Sequence, residues 1–202
     1  MNKYITELIG TLFLVMGAAL AGAVGAALAL MIMVYAGGHI SGAHYNPAVT
    51  LSVWMRGKID MKDALMYWVF QFAGAVIAAL LVAYVFDVEG SANCLIPEDG
   101  GTKAIIAELL GTFALAYVVL NVATAKGTSG NSFYGIAIGG TILAMASALG
   151  NFSGGAFNPA VAIGLCIQQT FCWDQVWMYF VGALGGGALA AIIFSLNNPD
   201  DK

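Results

Sequence analysis

A chain of 202 residues with 60% hydrophobic and only 9% charged residues lacks the polar surface of a water-soluble domain, in which roughly a quarter of residues are charged. Its mean hydropathy of +0.86 requires membrane lipids to replace water over much of the exterior. The net charge of −4 comes without a basic cluster, which excludes nucleic-acid recognition.

A membrane span takes roughly 20 apolar residues, so this length holds at most six or seven, and a single membrane domain over 1–202 is expected. In chain order the spans fall at about 3–20, 22–38, 64–86, 103–125, 132–150 and 176–195. Lys3 before an apolar run resembles a signal peptide, but Glu7 is out of place in such a leader, so a retained first span is expected. The first two spans share so few residues that the connection around Ala21 to Gly25 has to be a very tight hairpin, with local thinning of the bilayer. Two apolar pieces, Asn46 to Met55 and Asn158 to Gln168, are too short to cross and are expected to be re-entrant. The longest polar stretch, Asp87 to Lys103, holds Glu89, Pro97, Glu98 and Asp99.

Cys94, Cys166 and Cys172 follow no metal-ligand spacing, and no metal or cofactor is expected. Cys166 suits apolar packing, whereas Cys94 and Cys172 sit in polar stretches and could pair in an oxidising compartment. Trp54, Trp68, Trp173 and Trp177 lie near span ends, as interfacial aromatic belts do.

The chain is written twice. Glu7-Leu8-Ile9-Gly10-Thr11-Leu12-Phe13 returns as Glu108-Leu109-Leu110-Gly111-Thr112-Phe113, and Ser41-Gly42-Ala43-His44-Tyr45-Asn46-Pro47-Ala48-Val49 returns as Ser153-Gly154-Gly155-Ala156-Phe157-Asn158-Pro159-Ala160-Val161. The repeats cover 3–86 and 103–195, with 87–102 as linker. Three spans per repeat is an odd number, so the second repeat enters the membrane inverted. Lys3, Arg56, Lys58, Lys62, Lys126 and Lys202 fall on one side of this topology and only Lys103 on the other. By the positive-inside rule both termini are cytoplasmic, in a multi-pass protein of the plasma or inner cell membrane.

The two Asn-Pro-Ala triplets, Asn46-Pro47-Ala48 and Asn158-Pro159-Ala160, each follow a glycine-rich segment and precede an apolar run. Asn is a favoured helix N-cap and Pro a favoured first helical residue, so each triplet starts a helix. The approach can run extended and leave carbonyls unpaired, which membrane depth tolerates only along a water-filled path. Inversion brings both helix starts, with their partial positive charge, to one meeting place. There the asparagine amides can donate to a passing oxygen while the dipoles repel cations.

On these motifs the chain resembles the aquaporin (major intrinsic protein) family over nearly its whole length, including Gly38-His39-Ile40-Ser41-Gly42-Ala43-His44-Tyr45-Asn46-Pro47-Ala48-Val49-Thr50. The resemblance implies an all-α fold of six transmembrane helices and two re-entrant half-helices. It also implies a pore in each subunit of a homotetramer and passive flux of water or small neutral solutes. Asn46 and Asn158 would be the paired central donors. Carbonyls of Gly42, Ala43, His44 and Tyr45 would form one ladder, and those of Gly154, Gly155 and Ala156 the other.

Glu7 and Glu108 lie in apolar spans, where a carboxylate is costly and functional by default. Bracing of loop N–H groups is the favoured role, by their own symmetry and by the resemblance; a proton relay is the competing one. His39 and His44 are expected to brace the first loop, with titration as a gate the alternative.

The sequence departs from the family at the outer constriction. The family carries an arginine directly after the second Asn-Pro-Ala, and this chain has Val161. The remaining filter positions fall at Ala26, Ala146 and Gly155, and Ala162 stands where glycerol facilitators have an aspartate. A wide apolar mouth is expected, unless Phe157 or Phe152 fills the gap. Passive conduction leads the functional readings. A proton-coupled transporter of the same architecture and a structural membrane protein with an occluded pore are the alternatives. No nucleophile–base pair points to an enzyme.

Overall fold

The computed structural model describes residues 1–88, 90 and 101–201. A chain in lipid must satisfy its backbone internally, and each long apolar run is helical. The first helix, α1 (Asn2–Ser41), leaves helical geometry at Ala21 (φ −138°, ψ 16°) and Gly22 (φ 58°, ψ −144°). There the chain reverses. A Cβ placed on Gly17 would meet the Gly25 carbonyl oxygen at 2.5 Å, whereas a straight helix would hold residues that far apart in sequence about 12 Å apart. The arms, residues 2–20 and 23–41, are therefore antiparallel, each long enough for about 28 Å. The second arm runs to Ser41, three residues past its expected end.

After the half-helix α2 (Pro47–Met55) come α3 (Met61–Leu80), α4 (Thr102–Val119) and α5 (Tyr134–Ser153). Wider π turns extend α3 over Leu81–Val85 and α4 over Leu120–Thr124. The second half-helix α6 (Pro159–Ile167) and α7 (Val176–Asn197) complete the fold. Among the described residues five helices are long and apolar enough to cross a membrane. With α1 counted as a hairpin they supply six spanning segments. Each half-helix packs against a span of the other repeat, α2 on α7 and α6 on α3. The Ser52 hydroxyl fastens the first crossing by donating to the Gly187 carbonyl at 2.8 Å.

Small residues bring the spans close to the loops that precede the half-helices. A Cβ on Gly10 would overlap the Tyr45 ring, and one on Gly111 would overlap the Phe157 ring. Both rings are essentially inaccessible. Cys166 is a buried free thiol, in line with apolar packing. Cys172 is disulfide-bonded, while Cys94, Glu89, Pro97, Glu98 and Asp99 lie outside the described residues. Val88 and Gly90 are pinned to the end of α6: Gln168 Nε2 donates to the Val88 carbonyl and Gly90 N–H to that of Gln168. Trp54, Trp173 and Trp177 are exposed, whereas the Trp68 indole donates to the Pro47 carbonyl at 3.0 Å.

Charged residues pair at the ends of the helices. Lys3 and Tyr4 both bond Asp63, joining α1 to the first turn of α3. The Arg56 side chain at the end of α2 is buried, lies 4.7 Å from the Phe194 ring centroid and donates to Asp201 at 2.7 Å. The other Asp201 oxygen accepts the Lys126 N–H at 2.7 Å. That N–H first, and Arg56 after it, hold the Asp201 carboxyl below the usual carboxylate range. A depressed carboxylate pKa adds stability above its unfolded value that is lost as pH falls through the folded one. The Asp201→Asn variant should therefore unfold at a lower temperature than the wild type from pH 5 to 8. In detergent melts the difference should shrink only below about pH 4.

Candidate functional site

The site is built around the two half-helix starts. Asn46 and Asn158 are extended (φ −156° and −162°) and cap their helices as the motif predicts. Asn46 Oδ1 accepts Ala48 N–H at 2.8 Å, and Asn158 Oδ1 accepts Ala160 N–H at 2.9 Å, with Pro47 and Pro159 at the first helical position. Their nitrogens cross between the repeats. Asn46 Nδ2 donates to the Phe157 carbonyl at 2.8 Å, and Asn158 Nδ2 donates to the Tyr45 carbonyl at 2.9 Å. An amide nitrogen carries two hydrogens, so one N–H of each remains without a partner among the described residues. Both asparagines line one narrow cavity of about 110 Å³, room for several waters.

The loops before the asparagines are not extended, as the glycine-rich composition suggested, but turned through the left-handed region. Gly42, Ala43 and Tyr45 have φ of 84°, 52° and 50°, and Gly154, Gly155 and Phe157 have φ of 87°, 71° and 48°. Left-handed backbone costs about 1 kcal/mol or more at each non-glycine residue and persists only where surroundings over-determine it. Two buried carboxylates do so here. Glu7 accepts from the Ser41 hydroxyl (2.7 Å), His44 N–H (3.0 Å), Tyr45 N–H (2.7 Å) and Gln71 Nε2 (2.8 Å). Glu108 accepts from the Ser153 hydroxyl (2.7 Å), Ala156 N–H (3.0 Å) and Phe157 N–H (2.6 Å). The two serine oxygens in turn accept Ala43 N–H and Gly155 N–H, while Tyr67 and Tyr179 hydroxyls donate to the Ser41 and Ser153 carbonyls, both at 2.7 Å.

With the N–H groups engaged on the carboxylate side, Ala43, His44, Gly154, Gly155 and Ala156 line the cavity. Tyr45 does not: its carbonyl accepts Asn158 and its ring is buried behind Gly10, so it falls out of the expected ladder. Gly42 lines instead a larger vestibule of about 1030 Å³ at the Ser41 end of α1. His44 lines both spaces and sits at their junction. Its Nδ1 lies 3.1 Å from the Thr50 hydroxyl. That hydroxyl accepts Gln71 Nε2 and donates to the Asn46 carbonyl, so Nδ1 is the donor and Nε2 is left as an acceptor. His39, expected to brace the loop, is exposed in the last turn of α1. It lines the vestibule, and its side chain bonds no described residue.

Ala26, Ala146, Gly155 and Val161 all line the narrow cavity. Neither aromatic neighbour fills the gap: Phe157 is fully buried behind Gly111 and Phe152 is half exposed on the outside of α5. Among the described residues the cavity wall carries no carboxylate, and its one ionisable side chain is His44. Sequence reasoning missed Gln71, Ser41, Ser153 and the two tyrosines. The serines and tyrosines were findable, because Ser41 and Ser153 stand five residues before the asparagines and Tyr67 and Tyr179 stand 21 after them. Gln71 breaks the repeat, since Ala183 takes its place in the second half.

The major intrinsic protein family model matches residues 1–194. An aquaporin of Zea mays, TIP1-2, is 39% identical over 84% of this chain and 67% of its own length. Aquaporin TIP2-3 of Arabidopsis thaliana is 37% identical over 85% and 69%. In three dimensions the chain is similar to the aquaglyceroporin of Plasmodium falciparum, with a TM-score of 0.78 at 22% identity, covering 96% of this chain and 94% of that one.

Replacing Glu108 by Gln would set an amide against donors where an acceptor is needed. An unsatisfied buried donor costs about 1–3 kcal/mol, so Glu108→Gln should melt earlier in detergent and pass less solute. Unchanged stability would mean that the carboxylate does not hold the loop.

Proposed function

The chain belongs to the major intrinsic protein family, and we propose that each subunit passes water and small uncharged solutes passively through the cavity between Asn46 and Asn158. The observation that carries this reading is the pair of partly unpartnered amides, each capped, cross-bonded and lining one cavity. A solute oxygen reaching them gains two donors as it sheds water. The two helix starts add fixed positive potential, each equivalent to about half a charge, which opposes cations. The carbonyls of Ala43, His44, Gly154, Gly155 and Ala156 serve as acceptors on either side, and apolar side chains such as Val49 and Leu115 make the rest of the wall.

Glu7 and Glu108 are the braces of the two loops. A proton relay needs titratable groups along the path, and neither carboxylate lines the cavity. The same point disfavours a proton-coupled transporter. Conduction also favours an open conduit over an occluded structural protein, since the cavity and the vestibule share His44, Val119 and Ile138 as common wall. The protein is a multi-pass membrane protein. Its basic residues support cytoplasmic termini in a plasma or inner cell membrane, and the family supports a homotetramer with one pore per subunit.

Val161 in place of an arginine leaves the outer filter of Ala26, Ala146, Gly155 and Val161 without a side-chain donor or a fixed cation. Such a filter is wide and apolar and sets selectivity by size more than by hydrogen bonding. Light scattering from proteoliposomes tests the function: water, glycerol, urea and ammonia fluxes should exceed those of protein-free vesicles and should not respond to a pH gradient. Uptake driven by the gradient would select the transporter instead. In the same assay Val161→Arg should reduce glycerol and urea flux more than water flux.

A further inference from the structure

We infer that the turn between the two arms of α1 forms one wall of the outer mouth of the conduit, and that Ala23 is a specificity-determining position there. This rests on the channel reading above and adds a boundary that the two asparagine motifs do not specify.

Three observations meet at the turn. Gly22 and Ala23 line the same narrow cavity as Asn46 and Asn158, residues 2% exposed whose amides each keep one N–H unpartnered among the described residues. The second arm leads from Gly22 and Ala23, through Ala26 and Leu30 on the cavity wall, to Gly38, His39 and Ser41 on the vestibule wall. The turn therefore marks the end of the conduit opposite the vestibule. Finally, the connection is as short as the backbone permits. Gly17 and Gly25 bring the two arms into backbone contact, and Gly22 adopts φ 58°, ψ −144°, a conformation in practice restricted to glycine. A longer loop would carry residue 23 away from the cavity. Here the reversal holds it against the wall.

The chemistry at this end follows from the side chains. Ala23 and Ala26 come from α1, Ala146 from α5, Val161 from α6 and Gly155 from the second loop. None of these side chains can donate or accept a hydrogen bond, so the mouth discriminates by bulk. A small neutral solute that loses water easily passes, and the methyl of Ala23 helps to set the limit. Its neighbour Val24 is 55% exposed and is absent from the cavity wall, which makes it an internal control.

The Ala23→Cys and Val24→Cys variants would be treated in detergent with a positively charged methanethiosulfonate reagent, checked by mass spectrometry, reconstituted and assayed for water and glycerol flux. Among the described residues Cys166 is a buried free thiol and Cys172 is disulfide-bonded, and the wild type treated with the same reagent sets the background. Modified Ala23→Cys should lose flux by about five-fold or more, as expected for a bulky cation fixed in a pore mouth, and modified Val24→Cys should keep wild-type flux. Ala23→Leu should lower the glycerol-to-water permeability ratio with unchanged thermal stability. The inference is overturned if Ala23→Cys resists labelling, if it is labelled without loss of flux, or if Val24→Cys is inhibited equally. Should Ala23→Leu not fold, the cysteine pair still decides. Absence of flux in the wild type would refute the channel reading alone, because labelling at residue 23 would still report whether the mouth is open there.

Discussion

The architecture depends on one reciprocal contact: each asparagine holds its own helix through its oxygen and the other repeat's loop through its nitrogen. Breaking either amide frees a helix start and strands a buried carbonyl at once, and in low-dielectric surroundings a stranded polar group is costly. The contact also explains why the cavity is polar between the two helix starts. Each amide can satisfy only one hydrogen within the protein, so the cavity receives the second.

Everything behind the asparagines keeps the loops in a conformation they would not choose. Left-handed backbone at Ala43, Tyr45 and Phe157 turns N–H groups to one side and carbonyls to the other. Glu7 and Glu108 collect the N–H groups, and Gly10 and Gly111 make room for the rings that the turned backbone directs inward. The halves are matched in this scaffold but not in chemistry. His44, Thr50 and Gln71 form a hydrogen-bonded set in the first half, where the second has Ala156, Ala162 and Ala183. Of these residues only His44 and Ala156 line the cavity, so the difference reaches the conduit as one imidazole against one methyl.

Much of this was legible in the residues. The repeated Asn-Pro-Ala marked both helix starts because capping is local physics, and the repeated Glu marked both braces because a lone carboxylate in an apolar span needs partners. The tight hairpin at Ala21 and Gly22 followed from simple length. Other features depended on the third dimension. The left-handed turns at Ala43 and Tyr45 were hidden because neither residue type announces a positive φ. His39 looked like a loop brace, yet helical hydrogen bonding carries α1 through it and turns it to the vestibule. Tyr45 drops out of the carbonyl row because Asn158, distant in sequence, claims its oxygen.

The central claim, a water-filled path between the two asparagines, is tested most directly by a high-resolution experimental structure in lipid. The account predicts a continuous file of ordered waters from His44 to Ala146, with a water at the centre accepting one N–H from Asn46 and one from Asn158. A dry gap between those amides, or both second N–H groups bound to protein, would contradict it.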